Sequence, residues 1–290
     1  MRRDPSPYRP QLLHVQRGYA YPARTLRSLL VTSLFLLSPL SALAEPLQAE
    51  RLTWAGIKLV ANDTTVFVDP VGTDLWDGEA PEGLVPVTAD TRRRYALITH
   101  AHNDHFDVET LKAVLGERGY VISPEAEATY IASRGLKVVP AKLFVPIERG
   151  GFLFTAVPAE DGLGAEQVSW VITAPDGQRI LHAGDTLWHG QWRIIGRQYG
   201  PFDVAFLPIN GARLGGEPPQ ETPFTMTPEQ AVDAALILQA KKIVPIHYGL
   251  NDPPHYVEVD DPLAKLMAVA QRRGVSAQHL APGESISLGE

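Results

Sequence analysis

The heptad Thr99-His100-Ala101-His102-Asn103-Asp104-His105 restricts this chain more than any other feature. It follows Tyr95 to Thr99, an apolar run with the pattern of a buried strand. At the end of a strand His100 and His102 leave on one side of the backbone, because strand side chains alternate. Asp104 and His105 fall where the chain turns into the next helix. Imidazoles and a carboxylate brought together this way suit zinc, manganese or iron. With nine His in 290 residues, the pattern H-x-H-x-D-H arises by chance in about 5 of 10,000 such chains, so a solvated polar loop is a poor account of it. Two further segments end apolar strands in ligand-type residues. Leu181-His182-Ala183-Gly184-Asp185-Thr186 presents a carboxylate after glycine, and Ile246-His247-Tyr248-Gly249 presents a histidine before one. Each is weak alone, but they reinforce the heptad.

Composition removes several alternatives. The chain has no cysteine, which excludes disulfides, thiolate zinc sites, iron–sulfur clusters and a thiol nucleophile. No G-x-S-x-G and no G-x-x-x-x-G-K-[ST] occurs, so serine-hydrolase and phosphate-loop readings find no support. A hydrophobic fraction of 44% and a charged fraction of 20% fit a globular chain with a substantial core.

Residues 1–44 have the pattern of a secretory signal. Arg24 and Arg27 precede an uncharged run from Leu29 to Ala44 that ends Ala42-Leu43-Ala44. At 16 residues, with Pro39 inside it, the run is short for a membrane span. The expectation is an exported protein, periplasmic or secreted, with a domain over 45–290. Residues 1–44 carry six Arg and one Asp, so the domain holds 20 basic against 32 acidic side chains, a formal charge of −12. Such a surface disfavours nucleic acid and stable association with anionic membranes after cleavage. A small-molecule substrate is the expected partner.

From Glu45 onward the chain reads as one α/β domain without repeats. Strands are expected at Leu52 to Val60 and Thr65 to Asp69, then a Gly/Pro-rich loop to about Asp90. Val108 to Arg118 has helical spacing with Asp107 as N-cap, and Pro124 to Ser133 reads as a helix opening on proline. Leu143 to Ile147, Phe152 to Val157 and Val168 to Thr173 read as strands, and Asp176-Gly177 as a hairpin turn into Arg179 to Ala183. Val204 to Pro208 and Ile243 to Ile246 are strands. Pro228 to Gln239, capped by Thr227, and Pro262 to Arg273 are helices. Hairpins first, then strands alternating with helices, imply sheets inside and helices outside.

The four segments at 99–105 (THAHNDH), 182–186 (HAGDT), 225–231 (TMTPEQA) and 245–249 (PIHYG) together resemble the metallo-β-lactamase superfamily of hydrolases. Within it the similarity is to the branch of L-ascorbate-6-phosphate lactonase and the N-acylphosphatidylethanolamine phospholipase D-like proteins. The resemblance covers roughly residues 50–288. It implies an α/β fold of four layers, an αββα sandwich, with a metal site between the sheets at one edge. It further implies two divalent ions, zinc first, with manganese or iron as alternatives. His100 and His102 would bind the first ion, Asp104, His105 and His247 the second, and Asp185 would bridge them. One position departs from the pattern. A third histidine of the first site usually follows the strand spelled here Phe152 to Val157, but this chain continues Pro158-Ala159-Glu160-Asp161-Gly162. Asp161 is assigned to that place, with Glu160 as second choice. An oxygen ligand there shifts preference toward manganese or iron.

The implied chemistry is hydrolysis of a lactone, ester or phosphoester by water that a metal activates. Asp104 is the candidate to orient that water or take its proton, and His189 to protonate the leaving group. Trp188, Arg213 and Tyr248 are candidate substrate contacts, each close in sequence to a ligand or on a loop at the strand ends. Two other readings stand beside this one: a phospholipid or nucleotide phosphodiesterase of the same fold, and a metal-binding sensor or interaction protein without catalysis.

Overall fold

The computed structural model describes residues 46–72, 84–215 and 221–289. The signal expected at 1–44 lies outside these residues, as do 73–83 of the Gly/Pro-rich loop and 216–220. In chain order the strands and helices are β1 (Leu47–Arg51), β2 (Ile57–Ala61), β3 (Thr64–Val68), β4 (Arg93–Leu97), α1 (Val108–Leu115), β5 (Tyr120–Pro124), α2 (Ala128–Ser133), β6 (Val138–Ala141), β7 (Ile147–Arg149), β8 (Phe152–Pro158), β9 (Val168–Thr173) and β10 (Arg179–His182). There follow α3 (Trp192–Tyr199), β11 (Val204–Pro208), β12 (Arg213–Leu214), α4 (Pro228–Leu238), β13 (Ile243–Ile246), β14 (Tyr256–Val257), α5 (Pro262–Arg273) and β15 (Ser285–Leu288).

Two sheets form the interior. The first has the order β15-β1-β2-β3-β4-β5-β6 and the second β13-β11-β10-β9-β8-β7, with a small β12-β14 ribbon beside them. In each sheet one half is antiparallel and the other parallel. β3 to β6 run parallel in the first, and β10, β11 and β13 in the second. Parallel strands are covered on both faces and read as unbroken apolar runs. In β11, Val204 and Phe206 face the cluster between the sheets, while Ala205 and Leu207 face α3, α4 and α5. On the outer face of the first sheet, Phe67, Ala96 and Val121 pack on Leu111 and Val114 of α1. Three stacked apolar clusters therefore separate four layers, the αββα sandwich that the sequence implied. Burying one side chain such as Phe206 contributes about 1.5–3 kcal/mol. No helix among the described residues is long and apolar enough to cross a membrane.

Capping chemistry sets the helix starts as expected. Asp107 accepts from the Thr110 amide at 3.0 Å, and Thr227 with Gln230 forms a capping box. Asp176 and Gly177, the latter at φ 89°, turn β9 into β10. Four expectations are corrected. The strand expected from Leu52 to Val60 is a turn followed by β2, because Leu52 N bonds Gly56 O and Gly56 N bonds Thr53 O. The helix expected from Pro124 begins only at Ala128, because Pro124 still pairs with Ala141 in the sheet. Leu143, Phe144 and Val145 lie exposed in a turn rather than a strand. Helix α3, with glycine at its centre and two arginines, was not expected from the sequence at all.

That glycine explains how α3 is seated. A Cβ at Gly196 would lie 2.4 Å from the Ile237 carbonyl oxygen of α4, so the helices approach only where no side chain intervenes. On an open helix face Gly→Ala stabilises by about 1 kcal/mol. Here Gly196→Ala should instead destabilise by about 1–3 kcal/mol through overpacking. Urea unfolding decides between them: a midpoint equal to or above the wild type would mean that α3 does not press on α4 this closely.

Candidate metal centre

The site lies where parallel strands of both sheets reach their carboxyl ends, the usual place for ligands in open α/β sheets. β3 ends in Asp69, β4 runs out through Thr99 into His100, β10 is followed by Asp185, and β13 by His247. Asp69, buried and at φ 43°, organises the first of these. Its Oδ1 accepts from the Thr99 amide (2.8 Å), and its Oδ2 accepts from Thr99 Oγ1 (2.6 Å). The Oδ2 also faces His105 Nδ1 at 2.8 Å. Burial pushes the Asp69 pKa up, but the His105 charge and these hydrogen bonds outweigh it and hold the carboxyl below its usual range. With Nδ1 committed to Asp69, His105 turns Nε2 into the site, as an outer carboxylate does for a metal-ligating histidine.

A tight turn, in which the His102 carbonyl accepts from the His105 and Phe106 amides, brings Asp104 beside His105. Trp54 Nε1 donates to Asp104 Oδ2 at 3.1 Å. On the other sheet His247 stands at φ 55°, its amide bonded to the Trp54 carbonyl and its ring 4.2 Å from the Trp54 ring. The Glu258 carboxylate accepts from the Gly249 and Leu250 amides and fixes the following turn. His182 accepts from the Gly184 amide and pairs with the Ala55 carbonyl, so it steadies the glycine turn that presents Asp185.

Four atoms converge. Asp104 Oδ2 lies 3.6 Å from both His105 Nε2 and His247 Nε2, and Asp185 Oδ2 lies 3.8 Å from the same two nitrogens. These separations are too long for hydrogen bonds. They are close to the spacing of about 3.4 Å between tetrahedral ligands held about 2.1 Å from one ion. His105 Nε2, His247 Nε2 and Asp185 Oδ1 are buried without a hydrogen-bond partner, a costly condition that a cation would relieve. Beside them, His100 Nε2 and His102 Nδ1 stand 2.9 Å apart, and His100 Nδ1 is 3.9 Å from Asp185 Oδ1. His100, Asp104 and His105 form one group with metal-ligand spacing, and His105, Asp185 and His247 another.

The charges point the same way. Burial lowers the His105 pKa, but Asp104, Asp185 and Asp69 overcome it and raise it to about 10. His100 is pushed down to about 4, chiefly by burial, with Asp185 opposing. Burial raises Asp104 and Asp185 as well, yet the surrounding imidazoles hold both below the usual carboxylate range. Nitrogen and oxygen donors without thiolate suit borderline and hard divalent ions, and metal uptake there would release a proton.

Six of the sequence-derived residues, His100, His102, Asp104, His105, Asp185 and His247, are thus brought together. The others fall outside these two groups. Asp161 belongs to neither group; its Oδ2 accepts from the Ala165 amide, and its Oδ1 is buried without a hydrogen-bond partner. Glu160 is exposed, with its backbone bonded to Thr186 and Leu187. His189 is buried, stacked 4.3 Å from Trp192 and accepting from the Gln191 amide. Burial drives its pKa down to about 4. Trp188 packs near Trp192, outside the cleft lining. Arg213 donates to the Glu221 carbonyl. Tyr248 follows His247 but points away to Arg51, whose guanidinium donates to its hydroxyl at 2.8 Å.

Sequence reasoning missed Asp69 and Trp54. Asp69 carried a usable signal, since it ends an apolar strand as Asp185 nearly does. Trp54 carried none. Also unforeseen is Gln167, 8% exposed with neither amide atom paired, its Nε2 packed against the glycine turn before Asp185. Asp69→Asn removes the charge that orients His105, so metal affinity should fall roughly 10–100-fold. Titration with zinc, followed by intrinsic fluorescence, measures it; unchanged affinity would sever Asp69 from the site.

Known proteins share this arrangement of elements. The profile described as "Beta-lactamase superfamily domain" matches residues 64–248. A UPF0173 metal-dependent hydrolase of Thermus thermophilus is 32% identical over 247 residues, covering 83% of this chain and 99% of its own. One from Methanoculleus marisnigri is 30% identical over 252 residues, covering 82% and 97%. Among solved structures, Igni18, a metallo hydrolase from Ignicoccus hospitalis, superposes with a TM-score of 0.64 at 22% identity, over 84% of this chain and 99% of that one. CmlA, a diiron beta-hydroxylase from Streptomyces venezuelae, gives 0.67 at 19% identity, over 84% and 54%. At these identities the two structures show a common fold alone.

Proposed function

This chain belongs to the beta-lactamase superfamily of metal-dependent hydrolases, in its UPF0173 group, and from that membership we propose a dinuclear hydrolase of small-molecule lactones, esters or phosphoesters. The observation that carries the reading is the convergence of Asp104 Oδ2 and Asp185 Oδ2 on the buried, unpartnered Nε2 atoms of His105 and His247. His100, His102 and Asp185 Oδ1 would hold one divalent ion, and Asp104, His105, His247 and Asp185 Oδ2 the other. Zinc is the first expected occupant, with manganese or iron as alternatives. Bound divalent ions make water acidic enough to ionise near neutral pH and polarise the oxygen of the scissile group.

The chain's own residues supply the rest. Asp185 presents Oδ1 toward His100 and Oδ2 toward His105 and His247, so one carboxylate would serve both ions. Trp54 Nε1 holds Asp104 Oδ2, so the carboxylate that faces both imidazoles keeps one orientation and can orient a water. Asp69 keeps His105 in the tautomer that aims Nε2 inward. His189 is kept neutral by burial and is not among the residues that line the cleft, so the leaving group would take its proton from solvent. The exported location expected from residues 1–44 and the charge of −12 that remains support a small diffusible substrate over nucleic acid. The L-ascorbate-6-phosphate lactonase branch remains a finer proposal, resting on the four motifs.

Two measurements test this. Elemental analysis of protein purified without added metal should find about two divalent ions per chain. One or fewer would mean that the His100–His102 side is incomplete without a third histidine. His102→Ala and Asp185→Ala should each reduce turnover by more than the roughly 10–100-fold typical of losing an outer partner, with the circular dichroism spectrum retained. Near-normal rates at saturating metal in either variant would overturn the dinuclear assignment.

A further inference from the structure

The cleft above the metal centre is an apolar chamber of about 590 Å3, and its walls carry information about the substrate. Phe224 and Tyr256 meet edge to face, 5.7 Å between ring centroids, and form the inner wall. The Tyr256 hydroxyl accepts from Asn210 Nδ2, so the wall offers the ring. Leu163, Leu214 and Leu250 complete it. Leu163 is 50% exposed, and a ligand in the chamber would take that apolar surface out of water. Two glycines build this wall. A Cβ at Gly162 would fall 2.2 Å from Phe224 Cβ, and one at Gly215 would fall 1.6 Å from the Pro254 carbonyl oxygen. The loop bearing Leu163 is thereby pressed onto Phe224, and β12 onto the segment before Tyr256.

No Lys or Arg is among the described residues that line the chamber. The undescribed internal segments, 73–83 and 216–220, contain neither in their sequence. The polar rim is Asp252 with His255, 3.5 Å apart, and the floor carries Asp104 and Asp185. A terminal phosphate or carboxylate on the substrate would enter without a cationic partner from the wall, and phosphate recognition ordinarily recruits arginine or lysine.

We infer that this site takes an uncharged carboxylic ester or lactone whose acyl chain is aliphatic and several carbons long, seated against Leu163, Leu214, Phe224, Leu250 and Tyr256. This rests on the hydrolase reading above. In the reaction the oxygen of water bonds to the acyl carbon, the acyl carbon–oxygen bond to the alkoxy group breaks, and the released oxygen takes a proton. The products are a carboxylic acid and an alcohol, or a hydroxy acid from a lactone.

The test uses the full chain loaded with zinc and a series of p-nitrophenyl esters from acetate to hexanoate, with bis(p-nitrophenyl) phosphate as the charged comparator. kcat/KM should rise about fourfold per added methylene, the value of one buried CH2, and the phosphodiester should be cleaved more slowly than the hexanoate. Leu163→Asp and Leu214→Asp should flatten the series, whereas Leu236→Asp on the exposed face of α4 should leave its slope unchanged. Binding of neutral alkyl hydroxamic acids of two to six carbons is followed in parallel. Affinity that rises with chain length without any ester turnover would overturn the hydrolase reading and keep the apolar site. Rates and affinities independent of chain length, or a faster phosphodiester, would overturn this inference while leaving the hydrolase reading intact.

Discussion

Three carboxylates, Asp69, Asp104 and Asp185, are buried at one edge of the sandwich with imidazoles as their charged partners. Removing a carboxylate from water is expensive unless opposite charge and hydrogen bonds replace the water. Asp69 meets that condition within the protein, through Thr99 and His105. Asp104 and Asp185 meet it only in part, since the His105 and His247 nitrogens they face stand beyond hydrogen-bond reach. The folded chain therefore holds negative potential and unpartnered donor atoms in one enclosed place, and a divalent cation satisfies both at once. The site is less an ornament on the fold than an electrostatic debt at its edge, and the strand ends, glycine turns and left-handed residues around it serve to concentrate that charge.

Much of this was legible in the sequence, for physical reasons that differ by residue. The heptad at 99–105 showed itself because metal ligation needs particular side chains at particular strand positions. His247 and Asp185 showed themselves because a ligand-type residue stopped an apolar run beside glycine. Helices α1, α4 and α5 announced their starts through Asp107, Thr227 and the Pro262 that follows Asp261, all local chemistry. What stayed hidden depends on contacts across the chain. Helix α3 is held by the close approach of Gly196 to α4, a condition that local propensity opposes. Trp54 acts through an indole N–H that reaches Asp104 fifty residues away. The same limit explains the misplaced neighbours. Tyr248 and Trp188 adjoin ligand-type positions in sequence, but the backbone turns their side chains toward Arg51 and Trp192.

The departure at 158–162 has a structural counterpart. Where the resemblance leads to the expectation of a third histidine, this chain runs Pro158 to Gly162 along Thr186, with Asp161 bonded back to Ala165 and Gly162 packed on Phe224. Through Gly162 the segment shapes the chamber wall, and under the proposed assignment the His100–His102 side would hold its ion with fewer protein donors than the His105–His247 side.

The candidate ligands come from both sheets. His100, His102, Asp104 and His105 follow β4 of the first sheet, while Asp185 and His247 follow β10 and β13 of the second. An ion held by Asp104, His105 and His247 would join positions as far apart as 104 and 247 and close a loop of well over a hundred residues. Closing a loop of that length in the unfolded chain is entropically unfavourable, so a cross-link that forms only in the native arrangement acts as a clasp on the whole sandwich. In a chain that contains no cysteine, such an ion would take the mechanical part that a disulfide plays elsewhere.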